Sequence, residues 1–374
     1  MAEPSGRSDL SARRGEIAVV TGQGIPLPVY AKAVLEALSG KGVSCHVLAD
    51  GDEAVLGFDN VLLLGIFPRI VETGALLRTN RDPRRKVVGW AVEPLLPADL
   101  AGVLRRLGMA MTSARLGYPA SVPAFRRLFR LPYHLIARFA LGRYSGQIAA
   151  NEAQFVFDQT AWVERGFAEG WLTRLLVSTN QKKSAMRASG HDALFAPVGH
   201  NAAEYGHDLG GPRDLDVLFL GRAVGRWRRG VLRRIVSDLR RRGASVDIRT
   251  TGVRGDDRTE LLNRTRVILH LHKYPWDTPW MRWYLASANG AVVCSQPLAS
   301  PQPLRPGIDY LSAEPASLGE EIVRLLDDEP ARLAMLDSCR RRMAEEMSME
   351  MTVDRVLEAF GLTDEEKEAG NDEA

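Results

Sequence analysis

Short apolar, β-branched runs alternate with longer helical patterns along this chain, and the alternation occurs twice, on either side of a polar interruption. Runs that are apolar throughout, rather than at every second position, belong to strands buried on both faces, as in a parallel sheet covered by helices. The first series comprises Ile17–Thr21, Cys45–Leu48, Val61–Leu64 and Val87–Trp90, with a helix from about Leu27 to Leu38. Residues 105–146 read as helical, and further strands are expected at Gln154–Phe157, Leu175–Ser178 and Leu194–Pro197. His200–Asp214 is rich in glycine and polar residues and has no period, as expected of a linker. The second series starts at Asp216–Leu220. It continues through a basic helix (Trp227–Arg241), strands at Ser245–Ile248, Arg266–His272 and Ala291–Ser295, and helices at Trp280–Ala288 and Leu318–Met347. The last helix should break near Pro330, which cannot continue one.

A chain of 374 residues is long for one core and comfortable for two. The expected layout is a disordered start (1–15), an N-terminal Rossmann-like domain (16–200), a linker (201–214) and a C-terminal Rossmann-like domain (215–347). A C-terminal helix (348–362) would pack back on the first domain, before an acidic tail (363–374). The fold class is α/β: two facing Rossmann-like domains with parallel sheets and an interdomain cleft. Such sheets bind ligands beyond the carboxyl ends of their strands, so the cleft is the expected site.

Composition narrows the partners. A net charge of +3 does not call for nucleic acid, although the arginines are clustered. Cys45, Cys294 and Cys339 show neither a disulfide framework nor metal-ligand spacing, which fits a reducing cytoplasm. No apolar run reaches the ~18–20 residues that span a bilayer, and no signal-peptide apolar region follows the first arginines.

Several constellations carry chemistry. Gly221-Arg222, between a buried strand and a helix, exposes backbone N–H groups that suit a diphosphate, with Arg226 adding charge. His270 and His272 share one strand face, and Lys273 leaves that strand where the cleft should lie. No third ligand with local spacing accompanies the two histidines, so a metal site is not expected. Gly22-Gln-Gly24 follows the first strand but lacks the G-x-G-x-x-G spacing of a dinucleotide fingerprint, with Pro26 and Pro28 at the helix start. That spacing speaks against an NAD(P)-dependent oxidoreductase. Glu93 ends a strand and is the best-placed N-terminal carboxylate for general base work; His200 sits at the handover between domains. Residues 125–143 mix arginine with aromatic and aliphatic residues. They offer a peripheral contact for an anionic membrane, though a helix pair packed on the first domain is the plainer reading. Arg226–Arg242 reads as a solvated helix face.

Ala196-Pro-Val-Gly-His200 followed by Asp214–Gly221 resembles bacterial GT-B glycosyltransferases, in a group related to spore-coat CgeB-type and family 4-like enzymes. Gly89–Leu95, Leu262–His270 and Arg282–Ser295 with Pro297-Leu298 and Pro306-Gly307 extend the resemblance over most of residues 86–345. The resemblance implies GT-B architecture and a bacterial, cytoplasmic hexosyl- or related transferase, with a peripheral position at the inner membrane face as a variant. Its co-substrate would be a nucleotide-diphosphate sugar built on UDP, GDP or dTDP. The C-terminal domain would hold this donor through Gly221, Arg222, Arg226, His272, Lys273, Arg282, Asn289, Gly290, Ser295 and Gln296. Asn289-Gly290 would also cap a helix. The N-terminal domain would hold a small-molecule, glycan or lipid-linked acceptor near Gly22, Gly24 and Glu93, with Glu93 and His200 as catalytic groups. No nucleic acid partner is implied, and no metal is required where arginine and lysine neutralise a leaving diphosphate. Two departures motivate an alternative, a non-catalytic GT-B-like protein that binds a nucleotide or partner. Gln296 stands where the group carries glutamate, and Leu285 where family 4 enzymes carry one.

Overall fold

The computed structural model describes residues 15–22, 29–65, 70–97, 109, 137–250 and 253–363. The expectations for residues 1–14, Gly24, residues 125–136 and the tail beyond 363 lie outside them.

The first series becomes β1 (Ile17–Thr21), α1 (Val29–Gly40), β2 (Cys45–Ala49), β3 (Asn60–Leu64), α2 (Glu72–Thr79) and β4 (Lys86–Ala91). It continues through α3 (Ala150–Ala168), β5 (Arg174–Val177), α4 (Asn180–Ala188) and β6 (Ala193–Phe195). The six strands form a parallel sheet in the order β2-β1-β3-β4-β5-β6. Ile17–Val20 and Val61–Leu63 are wholly buried, which accounts for their unbroken apolar character.

One expected strand is a correction. Gln154–Phe157 lies inside α3, whose buried Ala153, Val156, Phe157, Thr160 and Ala161 recur at helical spacing. The local Phe-Val-Phe run is one stripe of a 19-residue helix.

The second series becomes α5 (Ala202–Tyr205), β7 (Leu215–Leu220), α6 (Arg226–Arg241), β8 (Val246–Arg249), α7 (Gly255–Asn263), β9 (Thr265–His270) and α8 (Met281–Ala288). β10 (Val292–Ser295), β11 (Leu311–Ser312), α9 (Leu318–Asp327), α10 (Glu329–Glu346) and α11 (Met349–Phe360) follow. This sheet is also parallel, in the order β11-β10-β9-β7-β8. Helix α6 buries Val231, Leu232, Ile235, Val236 and Leu239 on it and turns its arginine-rich face outward. The break between α9 and α10 falls at Asp328, whose carboxylate accepts from the Ala331 N–H while Pro330 sits in the first helical turn.

The chain crosses between the sheets at 196–201 and again at 347–349, and the crossings touch. A β-carbon on Gly199 would lie 2.4 Å from Met349 Cα. Helix α11 then returns to the first sheet, burying Val353, Val356 and Phe360 beside Ile17, Val19, Leu62 and Val88. Thr352 donates to Pro197 O at 2.7 Å and the Trp90 indole to Ala196 O at 3.0 Å, fixing this return.

Candidate functional site

β7, β9 and β10 end on the same edge of the second sheet. Gly221 follows β7 with φ of 127°, in the region that favours glycine, and its N–H donates to Arg249 O at 2.7 Å. A β-carbon here would lie 2.3 Å from Arg282 Nη2. The missing side chain is thus what lets the Arg282 guanidinium stand over the turn. Arg282 enters from the first turn of α8 and, among the described residues, meets no carboxylate within ion-pair distance. Burial, then the neighbouring Arg228 and Arg258, pull its pKa down to about 10. It stays protonated at neutral pH in a place that is short of an anion.

Arg228 is a correction to the solvated-face expectation. It is buried at 6% exposure, donates to Arg222 O and, at 2.8 Å, to Leu271 O, and lies over the Phe219 ring. Its guanidinium ties the turn after β7 to the end of β9. With no carboxylate paired to it among the described residues, burial brings its pKa to about 10.

Arg222 and Arg226 line a cavity of about 710 Å³ together with Gly225, Arg229, Thr250 and Gly146–Ala149. Arg222 and Arg226 thus share one cavity, while Arg282 meets Gly221 at the turn just before it. Ser295 and Gln296 end β10 at the same edge, but both are engaged. The Ser295 hydroxyl donates to Gln296 O at 2.8 Å, and Gln296 Oε1 accepts from the His272 N–H at 3.4 Å. His272 bonds Pro297 O through Nε2 at 2.9 Å, and burial lowers its pKa to about 4. His270 is fully buried against His272 and Trp283, with neither ring nitrogen hydrogen-bonded and its pKa well below the ordinary value, chiefly through burial. Both rings are neutral at pH 7.

Asn289 and Gly290 are not part of this group. Helix α8 runs back along the sheet for ~12 Å, so its end lies at the opposite edge of the strands. Asn289 is fully buried there, donating to Tyr205 O and Leu285 O and accepting from Asn263 Nδ2. A β-carbon on Gly290 would lie 1.9 Å from Arg213 Nη2. Asn289 thus holds the linker helix α5 against the domain, and Gly290 leaves room for the linker's Arg213 and Asp208.

Sequence reasoning took the start of the segment 273–280 to the cleft on the donor side, but did not foresee that the segment docks on the other domain. The segment leaves β9 and inserts beyond the carboxyl ends of β4 and β5 of the other sheet. The Trp276 indole donates to Leu95 O at 2.8 Å and the Trp280 indole to Ser178 O at 2.7 Å. Asp277 pairs with Lys182 at 3.1 Å, and Lys182 also donates to Val92 O and Ser178 Oγ. Lys273 is drawn away from the donor edge into an ion pair with Glu152 at 2.8 Å, and the Tyr274 hydroxyl donates to the same carboxylate. Two tryptophans and two prolines within eight residues were the available signal.

Gly22 and Glu93 follow β1 and β4 at the carboxyl edge of the first sheet, half-buried. Glu93 is close enough to Tyr274 to help keep its hydroxyl protonated, after burial and Glu152. His200 lies exposed at the interdomain crossing, its ring 5.8 Å from that of Tyr205. Among the described residues, no three histidine, cysteine, aspartate or glutamate side chains form a metal-binding group, and no helix is long and apolar enough to cross a membrane.

Comparison with known proteins agrees with this geometry. Residues 213–358 match the sequence profile of a family described as Glycosyl transferase-like. The whole architecture is similar to Anabaena HepE in complex with UDP and glucose, with a TM-score of 0.53 and 9% identity over 94% of this chain and 100% of that one. An E. coli structure described as trehalose-6-phosphate bound with UDP-2-fluoro glucose matches 92% of this chain and 98% of its own, with a TM-score of 0.51 and 8% identity. An α-glucosyltransferase in complex with UDP and a 13-mer DNA does so over 92% and 99%, with a TM-score of 0.51 and 8% identity. No curated protein matches the chain. The fold is thus GT-B, α/β with two parallel sheets, and residues 213–358 are similar to a glycosyl transferase-like family.

Proposed function

We propose that the protein transfers a sugar from a nucleotide-diphosphate sugar to a hydroxyl or amine acceptor. The observation that carries this reading is Arg282, a half-buried guanidinium that meets no carboxylate among the described residues and stands over Gly221 at the end of β7. A diphosphate is the anion of matching size and charge. In this reading the Gly221 turn, Arg222 and Arg282 hold the two phosphates, and Arg226 borders them. Gln296 lies beside the ribose, and the uracil-bearing ligands of two GT-B neighbours make UDP the first donor base to test. The CgeB-type grouping belongs to the same proposal, as do a cytoplasmic location and a bacterial source.

The chemistry follows from charge. An acceptor oxygen or nitrogen attacks the anomeric carbon, the bond from that carbon to the β-phosphate oxygen breaks, and the nucleoside diphosphate leaves with the electron pair. Fixed guanidiniums stabilise the charge that develops on the leaving oxygen without reorganising at the moment of reaction. The acceptor sits near Gly22 and Glu93, and the Glu93 carboxylate takes its proton.

Gln296 supports a second reading. Its amide is occupied at the His272 N–H, and no charge stands where the resembling group has a carboxylate, which suits a protein that binds the nucleotide without turnover. A thermal-shift panel of UDP, GDP, ADP, CMP, dTDP and NAD(P) tests binding. A ligand at ~100 times its dissociation constant adds about 2.7 kcal/mol. One nucleoside diphosphate standing out, followed by its release from the matching sugar nucleotide, supports the transferase. Binding without release selects the second reading, and a shift with NAD(P) alone sinks both.

A further inference from the structure

We propose that Arg226, Arg229 and Arg233, continuing from Arg222, form an acceptor-side track for a linear chain that carries several phosphates. The three positions are spaced by three and four residues and so lie on one face of α6. All are exposed, and among the described residues none has a carboxylate partner. Other arginines of this domain are paired: Arg241 and Arg242 with Asp238, Arg249 with Asp247, Arg264 with Asp214 and Arg266 with Asp216. Like charges at this spacing repel, so an unneutralised row has a cost that an anion would relieve.

The row also has a shape. The 710 Å³ cavity adjoins a second, of about 570 Å³, lined by Arg226, Arg229, Leu232 and Arg233, and the two share Arg226 and Arg229. Among the described residues, no acidic side chain lines either. Helix α6 rises ~10 Å from Arg226 to Arg233, further than one diphosphate reaches. The surplus guanidiniums, at successive rises of ~4.5 and ~6 Å, therefore lie beyond the donor phosphates and fit a chain that carries its anions along that length. Guanidinium forks match phosphate oxygens in pairs. Gly146–Ala149 also line the first of these cavities, and a recess of this kind suits a flexible chain rather than a flat lipid surface.

This inference rests on the donor reading of Gly221 and Arg282, because it assigns the track to the acceptor. The test uses medium-chain linear polyphosphate as probe, titrated into UDP-saturated protein. Arg229→Glu with Arg233→Glu is compared with Arg240→Glu and Arg241→Glu at the far end of the same helix. The expected result is about tenfold or greater weakening by the first pair, a reduced salt dependence, little effect of the second pair and an unchanged UDP thermal shift. Equal weakening by both pairs, or no polyphosphate binding at low salt, overturns the track. Binding of phosphatidylglycerol vesicles through Arg229 and Arg233 in place of polyphosphate overturns the linear-chain occupant. Wild-type protein that binds polyphosphate but no nucleoside diphosphate overturns the donor assignment and the acceptor label with it, leaving the arginine track.

Discussion

Lys182 and Asp277 meet at 3.1 Å with side-chain exposures of 1% and 7%, one from the helix after β5 and the other from the segment after β9. This ion pair joins the two sheets where water is excluded. Removing one partner leaves the other charge buried and uncompensated, so Asp277→Ala should cost about 3–5 kcal/mol. A matched apolar pair, Lys182→Met with Asp277→Leu, should recover most of that. Denaturant midpoints of the single and double variants measure it; a mild single variant would mean that the interface admits water.

Gly221→Ala should leave the fold intact and damage the donor edge. Its φ of 127° is strained for alanine, at about 1–3 kcal/mol, and the new carbon would push Arg282 aside. Nucleotide affinity, measured by calorimetry, should fall roughly 10- to 100-fold.

Arg282→Met separates binding from stability by sign. A buried guanidinium without an anion is unfavourable in the ligand-free protein, so its removal should raise the melting temperature or leave it unchanged. The nucleoside-diphosphate thermal shift should disappear in the same variant. A drop in the ligand-free melting temperature would assign Arg282 a structural role.

Acid should destabilise the protein through its neutral histidines. The folded pKa of His272, about 4, lies below the ordinary 6.5, so the unfolded chain binds the extra proton between those values. Stability therefore falls as pH drops from about 6.5 towards 4, by about 3 kcal/mol for this residue. His272→Gln should flatten that part of the stability–pH curve relative to wild type.

The cysteines should be unreactive while folded. Burial pushes the Cys45 thiol up to about 11 and Cys339 up to about 12, and raises that of Cys294 as well. A thiol reagent at pH 8 should titrate all three at once in guanidinium and very slowly without it.

Much of the fold was legible because its strands are buried on both faces; a strand–turn–helix junction marked Gly221 and Arg222 as candidates for a ligand edge, whereas Arg282 was named only through the family resemblance. Gln154–Phe157 misled because four apolar-rich residues look alike in a strand and in one stripe of a helix. Asn289-Gly290 was assigned correctly as a cap, but its place follows from the direction of α8 and not from the motif. Lys182, in Gln181-Lys-Lys183, reads as a solvated helix residue. Its partner is 95 positions away in sequence, and only the docking of one domain's loop into the other makes it a core group.

Helix α11 supplies part of the apolar cover of the first sheet, although it is made after the whole second series. During synthesis the earlier half must wait, its Ile17, Val19 and Val88 face incompletely covered, until the ribosome has released residues 349–360. Shortening the chain before Ser348 would thus injure the half that was translated first, and severing it within 201–214 would strand the sheet from its last helix. The order of manufacture and the order of assembly are different in this protein.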